Sequence, residues 1–487
     1  MTRSFLASAA IYGLADFVSK FLAFAVFPLY AHIFSVEEFG VIALVTTAAG
    51  LVALILNLGM NNAMQRFYLD PATEPQARPK LVSTGLAFLA GWSLVVTLLL
   101  IACSAPLRDL LQHRYHVGWI LLALALATNI PAQILQYSQD VLRIHFSPWK
   151  FTVTSLLKNV AGAVFALILI LLFGYGLEGF FWGYFAAAML ALPLSLWFIR
   201  GDLVPRFDAA LARQMVVYGY PFIFGGLAYW VFGSLDVWML TELSDNTNVG
   251  WYSIAAKFAA ILTFINAAFG QAWAPFALKA YAEDPGHARL FSRVFSYWFF
   301  GLTIIGMLIS LFGYELLWAL TPQPYWPAAG ALSALAMGAV LLGTTQVTVL
   351  GISLARKTSV IAHCAWMVAL LNLVLNFLLI PRFGALGTSI ATFLSYAVLS
   401  ALYLYYSQRL HPIPLEKGKL LLTLAFVLLT VFVSIVLQAF PWSITIFAVK
   451  LFFLAGTLGI GFRFGILEIP VLVRLLRDLY PARRAAG

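Results

Sequence analysis

Residues 370–392 read LLNLVLNFLLIPRFGALGTSIAT, and this stretch decides how the whole chain is interpreted. It joins an apolar run over 358–380 to a second run over 384–406. Each run is close to the ~20 residues that a membrane-spanning helix requires. Pro381 predicts the end of the first helix because proline lacks the backbone N–H. The glycines that follow it allow a tight turn. The stretch therefore predicts two membrane spans joined by a short turn.

The composition of the 487 residues agrees with a membrane protein. Hydrophobic residues make up 62% of the chain, charged residues make up 10%, and the mean hydropathy is +0.93. A soluble domain is about 25% charged and 45–50% apolar. So much apolar surface excludes a soluble globule. The two cysteines, Cys103 and Cys364, lie in apolar runs and indicate neither a disulfide framework nor a metal site.

The same length criterion, applied to the whole chain, predicts about 14 transmembrane helices and hence an all-α integral membrane protein. The N-terminal apolar stretch is too long for a signal-peptide core, so we interpret it as the first span. The predicted spans are residues 9–33, 41–63, 83–106, 118–139, 152–173, 178–199, 216–240, 250–275, 290–313, 328–353, 358–380, 384–406, 417–437 and 442–462.

The basic residues predict the orientation of these spans. With the N-terminus inside, 22 of the 29 Lys and Arg residues fall in cytoplasmic segments, and only Arg108, Arg114 and Arg382 fall in external ones. This bias predicts a multi-pass protein of a bacterial inner membrane with both termini in the cytoplasm. The net charge of +10 is thereby explained without nucleic acid. Residues 466–480 predict either an amphipathic helix on the inner leaflet or a plain stop-transfer tail.

Three short matches indicate an internal repeat, with offsets of 206, 210 and 208 residues. Six spans per repeat place both halves in the same orientation, and transporters built this way bind substrate between their halves and alternate access. We therefore predict an N-terminal lobe over 1–205, a second six-helix lobe over 206–410, and two extra helices with a tail over 411–487. The matching segments are Tyr12–Gly13 with Tyr218–Gly219, Phe39–Gly40 with Val249–Gly250, and 175–179 with 383–387.

The pattern at 372–392 resembles that of polysaccharide-synthesis transporters in the multidrug/oligosaccharidyl-lipid/polysaccharide (MOP) exporter superfamily. Its elements are Asn372, Asn376, Ile380-Pro381, Gly384, Gly387 and Ala391-Thr392. The chain start, with Tyr30 before Phe39-Gly40, is similar to that of Wzx-type flippases. The resemblance implies a MATE-like, V-shaped bundle of two six-helix lobes. It also implies flipping of undecaprenyl-diphosphate-linked oligosaccharides for O-antigen, capsule or exopolysaccharide synthesis.

Charged side chains inside the spans are candidate functional groups, since each disfavours membrane insertion by about 2.5–3.5 kcal/mol. Asp16 and Lys20 lie one helical turn apart and form either an ion pair or a cavity site in which Lys20 contacts phosphate. Lys257 either faces a cavity or extends to the membrane surface. Asp236 is either an ion-coupling group or a polar helix contact. We expect Lys158 and Lys450, nearer helix ends, to extend toward the surface.

Two polar stripes run along single helix faces. Each stripe either joins helices through hydrogen bonds or lines a hydrophilic lumen, and the length of the stripe on the fourth span favours the lumen. The fourth span carries Asn129, Gln133, Gln136, Asp140 and Arg143, and the second carries Asn57, Asn61 and Gln65.

Lysines outnumber embedded aspartates in the spans, and a cationic, amide-rich cleft suits a diphosphate that carries sugars. The resemblance implies cationic cavity residues on spans 1, 2 and 8, where this chain has Lys20, Arg66 and Lys257. The candidate substrate-binding residues are Lys20, Arg66, Lys257, Asn57, Asn61, Asn129, Gln133, Gln136 and Gln271, and the candidate ion-coupling residues are Asp16, Asp140 and Asp236.

The sequence therefore predicts a transporter of lipid-linked oligosaccharides rather than an enzyme. No cofactor or metal is expected, and the absence of an ATP-binding motif leaves H⁺ or Na⁺ coupling, or the substrate gradient, as the energy source. Expected partners are the lipid-linked glycan, the bilayer, and polymerases or glycosyltransferases of the same pathway. The alternatives are a multidrug exporter or a lipid II exporter of the same superfamily. A glycan polymerase or ligase is disfavoured because the external connections are short, and buried charges oppose a passive scaffold.

Overall fold

The computed structural model describes residues 26–70, 73–104, 106, 117–145, 147–283, 285–355, 357–438, 440 and 442–466. Within these ranges, twelve side chains are not described, at positions 225, 228, 229, 232, 271, 272, 274, 275, 278, 279, 282 and 358. The predicted amphipathic tail, apart from Ile466, lies outside the described residues.

Regular structure in the described residues is helical throughout. A helical segment over 26–33 precedes the first complete helix. The longer helices, in chain order, are α1 (Val36–Asn57), α2 (Met60–Tyr68), α3 (Arg78–Ser104), α4 (Trp119–Ile144), α5 (Pro148–Leu171), α6 (Gly176–Phe198), α7 (Ala209–Gly219), α8 (Pro221–Leu243), α9 (Asn246–Glu283), α10 (His287–Leu311), α11 (Gly313–Leu320), α12 (Ala328–Leu354), α13 (Thr358–Leu410), α14 (Lys417–Gln438) and α15 (Ile444–Arg463). Short 3₁₀ turns lie at Pro75–Ala77, Arg200–Asp202 and Gln323–Tyr325.

The prediction of an all-α membrane protein is confirmed. Eleven stretches of the described chain are long and apolar enough to cross a bilayer. One of them, Ser359–Leu410, is 52 residues long and contains two of the predicted spans. The 23-residue helix α8 corresponds to a further predicted span, whereas most of the predicted first span lies outside the described residues.

The break inside α13 lies at Gly384, three residues after Pro381, at which the first helix was predicted to end. Helical structure continues through Pro381, and Gly384 then adopts φ 50° and ψ −127°. Only glycine reaches this backbone region easily, because it has no Cβ. At Gly387, an added Cβ would overlap the Leu379 carbonyl. Glycine, not proline, therefore sets the turn between the two spans.

The described residues up to Ser253 form one compact unit. In this unit α4 packs against α6, α3 and α1, and α2 packs against α7. Large side chains with no solvent exposure fill the centre, among them Met64, Leu89 and Tyr137. The Tyr137 hydroxyl donates to the Val82 carbonyl at 3.2 Å, so the single polar atom of this core side chain is satisfied.

The residues from Ile254 onward form a second compact unit. Its centre is α12, of which 83% of the membrane-spanning window is buried against α13, α10 and α14. Small residues make this possible, since a Cβ at Gly306 would overlap the Val340 side chain. The two units divide later in the chain than the predicted lobe boundary at 205/206, and the lobe assignment itself stays a prediction.

We expect Gly219→Ala to destabilise the first unit because two backbones touch at this position. An added Cβ on Gly219 would lie 2.5 Å from the Leu58 carbonyl oxygen, and Gly59 lies against Gly219 in turn. Overpacking of this kind disfavours folding by about 1–3 kcal/mol. The thermal unfolding midpoint of the purified protein measures the effect. Gly91→Ala is the control, since no atom of the described residues lies within 4 Å of the added methyl, and equal midpoints for the two variants would contradict the packing described.

We expect the second unit to lose stability when the pH falls below about 6.5, the ordinary pKa of histidine. His411 stacks on His287 with ring centroids 5.4 Å apart, and its buried Nε2 has no hydrogen-bond partner among the described residues. Burial and the neighbouring His287 lower the pKa of His411. His411 is therefore protonated more readily in the unfolded chain than in the folded protein. The free energy of unfolding is at its full value above pH 6.5 and decreases as the pH falls.

Unfolding midpoints measured between pH 7.5 and 5.5 test this dependence on pH. His287→Phe keeps the stacked ring without its charge and should reduce the loss, whereas His363→Gln, at an exposed position, should leave it unchanged. An identical pH profile in wild type and His287→Phe would show that the stacked pair does not couple to folding.

Candidate functional site

The candidate residues are distributed unevenly over the structure. Asp16 and Lys20 lie outside the described residues, and so does the side chain of Gln271. Their assignment to the cavity stays a prediction. The other nine candidates lie on α1, α2, α4, α8 and α9, and their surroundings are described below.

A chain of polar side chains joins α1 and α2 to α4. The Asn57 amide donates to Gln133 Oε1 at 3.0 Å and to Asn61 Oδ1 at 3.1 Å. Asn61 in turn donates to Asp140 Oδ2 at 2.6 Å. On the same face of α4, Asn129 donates to the Ala49 carbonyl at 3.0 Å. The two stripes predicted from the sequence therefore meet each other.

A local break in the backbone positions the second stripe. Leu58 and Gly59 adopt positive φ values of 48° and 68°, which end α1 and begin α2. The sequence predicted one uninterrupted span over 41–63, because hydropathy does not register a break of two residues. The break places Asn57 at the end of one helix and Asn61 near the start of the next, where both reach α4.

Asp140 is the centre of charge in this network. Its side chain is 5% exposed, and Arg143 Nη1 contacts Asp140 Oδ1 at 2.9 Å. The Asn61 amide donates a hydrogen bond to the other carboxylate oxygen, Oδ2. Arg143 is half exposed and also lies over the Phe151 ring, 4.6 Å from its centroid. The buried carboxylate therefore has both an amide donor and a cation, as a charge within a membrane requires.

The polar face of α4 has two edges with different surroundings. Gln133 and Asp140 are buried against α1 and α2, whereas Gln136 and Arg143 are exposed. The buried edge has the geometry of helix-joining hydrogen bonds, and the exposed edge offers an amide and a guanidinium to a ligand. The helix-joining interpretation of the stripe thus describes the buried edge, whereas the lumen interpretation of the exposed edge and substrate binding by these residues stay predictions.

Two described cations remain as candidate phosphate contacts. Arg66 is exposed near the end of α2 and approaches Asp70 at 3.5 Å, an ion pair weakened by solvent. Lys257 lies within the membrane-spanning part of α9, and its side chain is exposed. Exposure alone does not distinguish a cavity from extension to the membrane surface, so both alternatives for Lys257 stay predictions.

Asp236 makes a specific helix contact. It is 3% exposed on α8, and the Tyr252 hydroxyl of α9 donates to its Oδ2 at 2.8 Å. This is the geometry expected for the polar-contact alternative. Ion coupling through Asp236 stays a prediction.

The expectation that Lys450 extends toward the membrane surface is wrong. Its side chain is 4% exposed, and its ammonium contacts both carboxylate oxygens of Glu315 at 2.7 and 2.8 Å. The two residues are 135 positions apart in the chain, so no local spacing indicated the pair. Lys158 is half-buried on α5, which leaves its predicted extension toward the surface open.

Sequence reasoning also missed a cluster at the end of α2. The Tyr68 hydroxyl lies 2.8 Å from His145 Nε2, and the same nitrogen lies 3.4 Å from Asp202 Oδ1. Burial raises the pKa of Asp202, and the nearby His145 opposes that rise. Tyr68, His145 and Asp202 lie beyond the ends of three different predicted spans. In the sequence, this position near a span end is the only feature that the three residues share. Across the described residues, no cluster of His, Cys, Asp and Glu has the composition of a metal site.

We expect Asn61→Ala to destabilise the first unit, because it removes a donor from a buried carboxylate. Hydrogen bonds to charged groups contribute about 1.5–3 kcal/mol. Asn62→Ala is the matched control, since Asn62 is adjacent and exposed. Thermal unfolding of both variants in the same detergent measures the difference. A midpoint for Asn61→Ala equal to that of Asn62→Ala would show that the Asn61–Asp140 contact contributes nothing to stability.

Comparisons with known proteins support this architecture. The succinoglycan biosynthesis transport protein ExoT of Rhizobium meliloti (strain 1021) is 27% identical over 245 residues, which is 49% of this chain and 47% of ExoT. Alignments with curated relatives cover between 41% and 65% of those proteins.

Solved structures with the same fold are transporters and flippases by name. The lipid II flippase MurJ in an inward closed conformation superposes with a TM-score of 0.69 at 14% identity, covering 94% of this chain and 100% of MurJ. An inward-facing multidrug resistance MATE family transporter of the MOP superfamily superposes with a TM-score of 0.62 at 14% identity, covering 82% of this chain and 94% of the other. These likenesses confirm the MATE-like fold predicted from the repeat and the resemblance.

The family model described as "Polysaccharide biosynthesis protein" matches residues 5–281, which is more than half of the chain. The predicted family is therefore confirmed, and ExoT and MurJ are named as a transport protein and a flippase, not as enzymes. This chain belongs to the polysaccharide biosynthesis protein family and has the fold of MOP-superfamily transporters.

Proposed function

We propose that this protein flips undecaprenyl-diphosphate-linked oligosaccharide repeat units across the bacterial inner membrane for polysaccharide synthesis. The observation that carries the proposal is the family match over 5–281 on a chain with a transporter fold. The family name supports a role in polysaccharide synthesis, and the fold supports transport. Since ExoT is named as a transport protein for succinoglycan, a glycan precursor is the substrate class that agrees with both.

The side chains of the candidate site support an anionic, sugar-bearing substrate. Exposed Lys257 and exposed Arg143 offer cations, and Gln136 offers an amide. Ammonium and guanidinium groups bind phosphate oxygens through charge-assisted hydrogen bonds. The carboxylates of Asp140 and Asp236 both have partners inside the first unit, which makes them less available to a cationic drug. A glycan diphosphate therefore suits these groups better than a cationic drug does.

Contacts between connections support one side of the membrane for the basic segments, which we assign to the cytoplasm together with both termini because of their Lys and Arg residues. In the first unit, Lys80 Nζ contacts Asp208 Oδ2 at 2.6 Å, and the Val204 amide donates to Ser83 Oγ at 2.7 Å. Together with the Tyr68–His145 contact, these join the connections after α2, α4 and α6. All three were predicted to be cytoplasmic from their basic residues.

The second unit has the same arrangement by itself. The Ser292 hydroxyl donates to the Pro414 carbonyl, and His287 stacks on His411. These contacts join the beginning of α10 to the segment between α13 and α14, two regions that are rich in Lys and Arg. Connections predicted to be on one side of the membrane are thus in contact within each unit.

We propose that transport proceeds by alternating access. The energy comes from a gradient of H⁺ or Na⁺ or from the substrate gradient. Asp16, Asp140 and Asp236 are the candidate ion-coupling groups. Arg143 beside Asp140 offers one route for coupling, because a cation that binds the carboxylate would compete with the guanidinium. Polymerases and glycosyltransferases of the same pathway are the proposed protein partners.

We expect Lys257→Ala and Lys20→Ala to reduce flipping of a lipid-linked oligosaccharide by at least about tenfold, since each removes a charge-assisted contact of about 1.5–3 kcal/mol. The measurement is the rate at which the glycan becomes accessible to an external lectin in proteoliposomes. Lys417→Ala, at an exposed position at the first residue of α14, is the control. Wild-type rates in both Lys257→Ala and Lys20→Ala would refute the assignment of the substrate site.

A further inference from the structure

A cavity of about 290 Å³ lies in the second unit, beside the connection between α14 and α15. Its lining contains three aromatic side chains, an amide and a buried lysine: Tyr314, Phe440, Trp442, Gln438 and Lys450. None of these residues belongs to the candidate transport site described above. The volume is at the lower limit of the ~300–1,000 Å³ typical of small-molecule sites.

The lysine in this lining is held by a buried ion pair. Lys450 is 4% exposed and contacts both oxygens of Glu315. The ammonium also lies 5.9 Å from the centroid of the Phe312 ring. An ammonium has three donors, and the two hydrogen bonds that Lys450 makes to described residues both go to Glu315, which leaves a third N–H for an acceptor in the cavity. Because Glu315 neutralises the charge, the site favours an uncharged ligand over a phosphate.

The Gln438 amide forms a polar wall of the cavity, and the aromatic rings form a second wall. Gln438 Nε2 donates to Ser333 Oγ at 3.1 Å, which orients the amide. Its carbonyl oxygen accepts no hydrogen bond within the described part of the unit, so it can accept from a ligand hydroxyl. Trp442 and Phe440 are 55% and 58% exposed. Aromatic faces of this kind, beside hydrogen-bonding groups, suit the C–H faces and hydroxyls of a pyranose.

We propose that this cavity is a binding site for one neutral sugar residue. The ring packs against Trp442, while its hydroxyls accept from Lys450 and donate to Gln438. The orientation predicted from the basic residues puts the connection between α14 and α15 on the external face of the membrane. The site would therefore hold a sugar of the glycan after it has crossed, and this role rests on the proposed transport of oligosaccharide.

A structural role for the same residues makes a different prediction. Tryptophan and tyrosine are common at membrane interfaces as anchors, and a buried ion pair can serve a structural purpose. Replacing such a pair by apolar residues is often neutral or stabilising. Anchoring does not require a cavity, and it does not require a lysine and an amide to face the same space. A measurement of sugar binding therefore distinguishes a binding site from a structural anchor.

The test uses the purified full chain in nanodiscs and the methyl glycosides of glucose, galactose and mannose. Saturation-transfer NMR measures their binding to wild type, to Trp442→Ala and to the double variant Glu315→Leu/Lys450→Met. We expect binding of at least one glycoside to wild type, and binding roughly two- to tenfold weaker in Trp442→Ala. Trp318→Ala is the matched control, since Trp318 is exposed in α11 and does not line the cavity.

Two results would overturn the proposal: no saturation transfer from wild type to any of the three glycosides, or equal affinities in wild type and Trp442→Ala. If the double variant does not fold, Trp442→Ala still decides, because that side chain is largely exposed. Flipping of lipid-linked oligosaccharide by the same preparation is measured separately. Glycoside binding without flipping would retain the site and reject the proposed function, whereas flipping without glycoside binding would do the reverse.

Discussion

The structure depends on one constraint, which is that hydrocarbon offers no hydrogen bonds to a polar group. Backbone N–H and C=O groups must then bond within each segment, and helices satisfy this requirement. Side chains follow the same rule. Asp140 is bonded by Asn61 and Arg143, Asp236 accepts from Tyr252, and Lys450 is paired with Glu315. The contacts of Asn61, Tyr252 and Lys450 join α2 to α4, α9 to α8 and α15 to α11.

The fold was predictable from the sequence where hydropathy is informative. Runs of apolar residues located α3, α4, α10, α12 and α14 to within a few residues, because span length is set by the bilayer. Breaks of one or two residues were harder to locate. The turn at Leu58–Gly59 escaped notice within an apolar run, and α13 stays helical through Pro381, where the sequence predicted its first half to end, up to the predicted glycine turn at Gly384. Backbone conformation at a single residue leaves no signal in a hydropathy profile.

The candidate site was predictable in part. Helical spacing correctly placed Asn129, Gln133 and Asp140 on one face of α4, but it did not reveal that Asn57 and Asn61 lie opposite them. Partner choice depends on how helices pack, and residues that meet are 76 and 79 positions apart. The pair of Lys450 with Glu315 was missed for the same reason. Sequence periodicity thus predicts which face is polar, whereas packing decides whether that face binds a helix or a ligand.

The polar groups divide into two classes with different consequences for function. Those that are buried and paired, such as Asn61 and Asp140, hold the first unit together. Those that stay exposed on membrane-spanning helices include Gln136 and Lys257, and transfer of such groups into a membrane is unfavourable. In the proposed function, binding of an anionic, sugar-bearing substrate would account for the second class, and the match to the polysaccharide biosynthesis family agrees with that proposal.

The most direct measurement is transport by the wild-type protein reconstituted alone into liposomes. Undecaprenyl-diphosphate oligosaccharide and lipid II are each placed in one leaflet, and their appearance in the other is followed with and without an H⁺ or Na⁺ gradient. The proposed function predicts faster translocation of the oligosaccharide-bearing lipid than in protein-free liposomes, and little translocation of lipid II. Translocation of lipid II alone, or of neither lipid under any gradient, would contradict it.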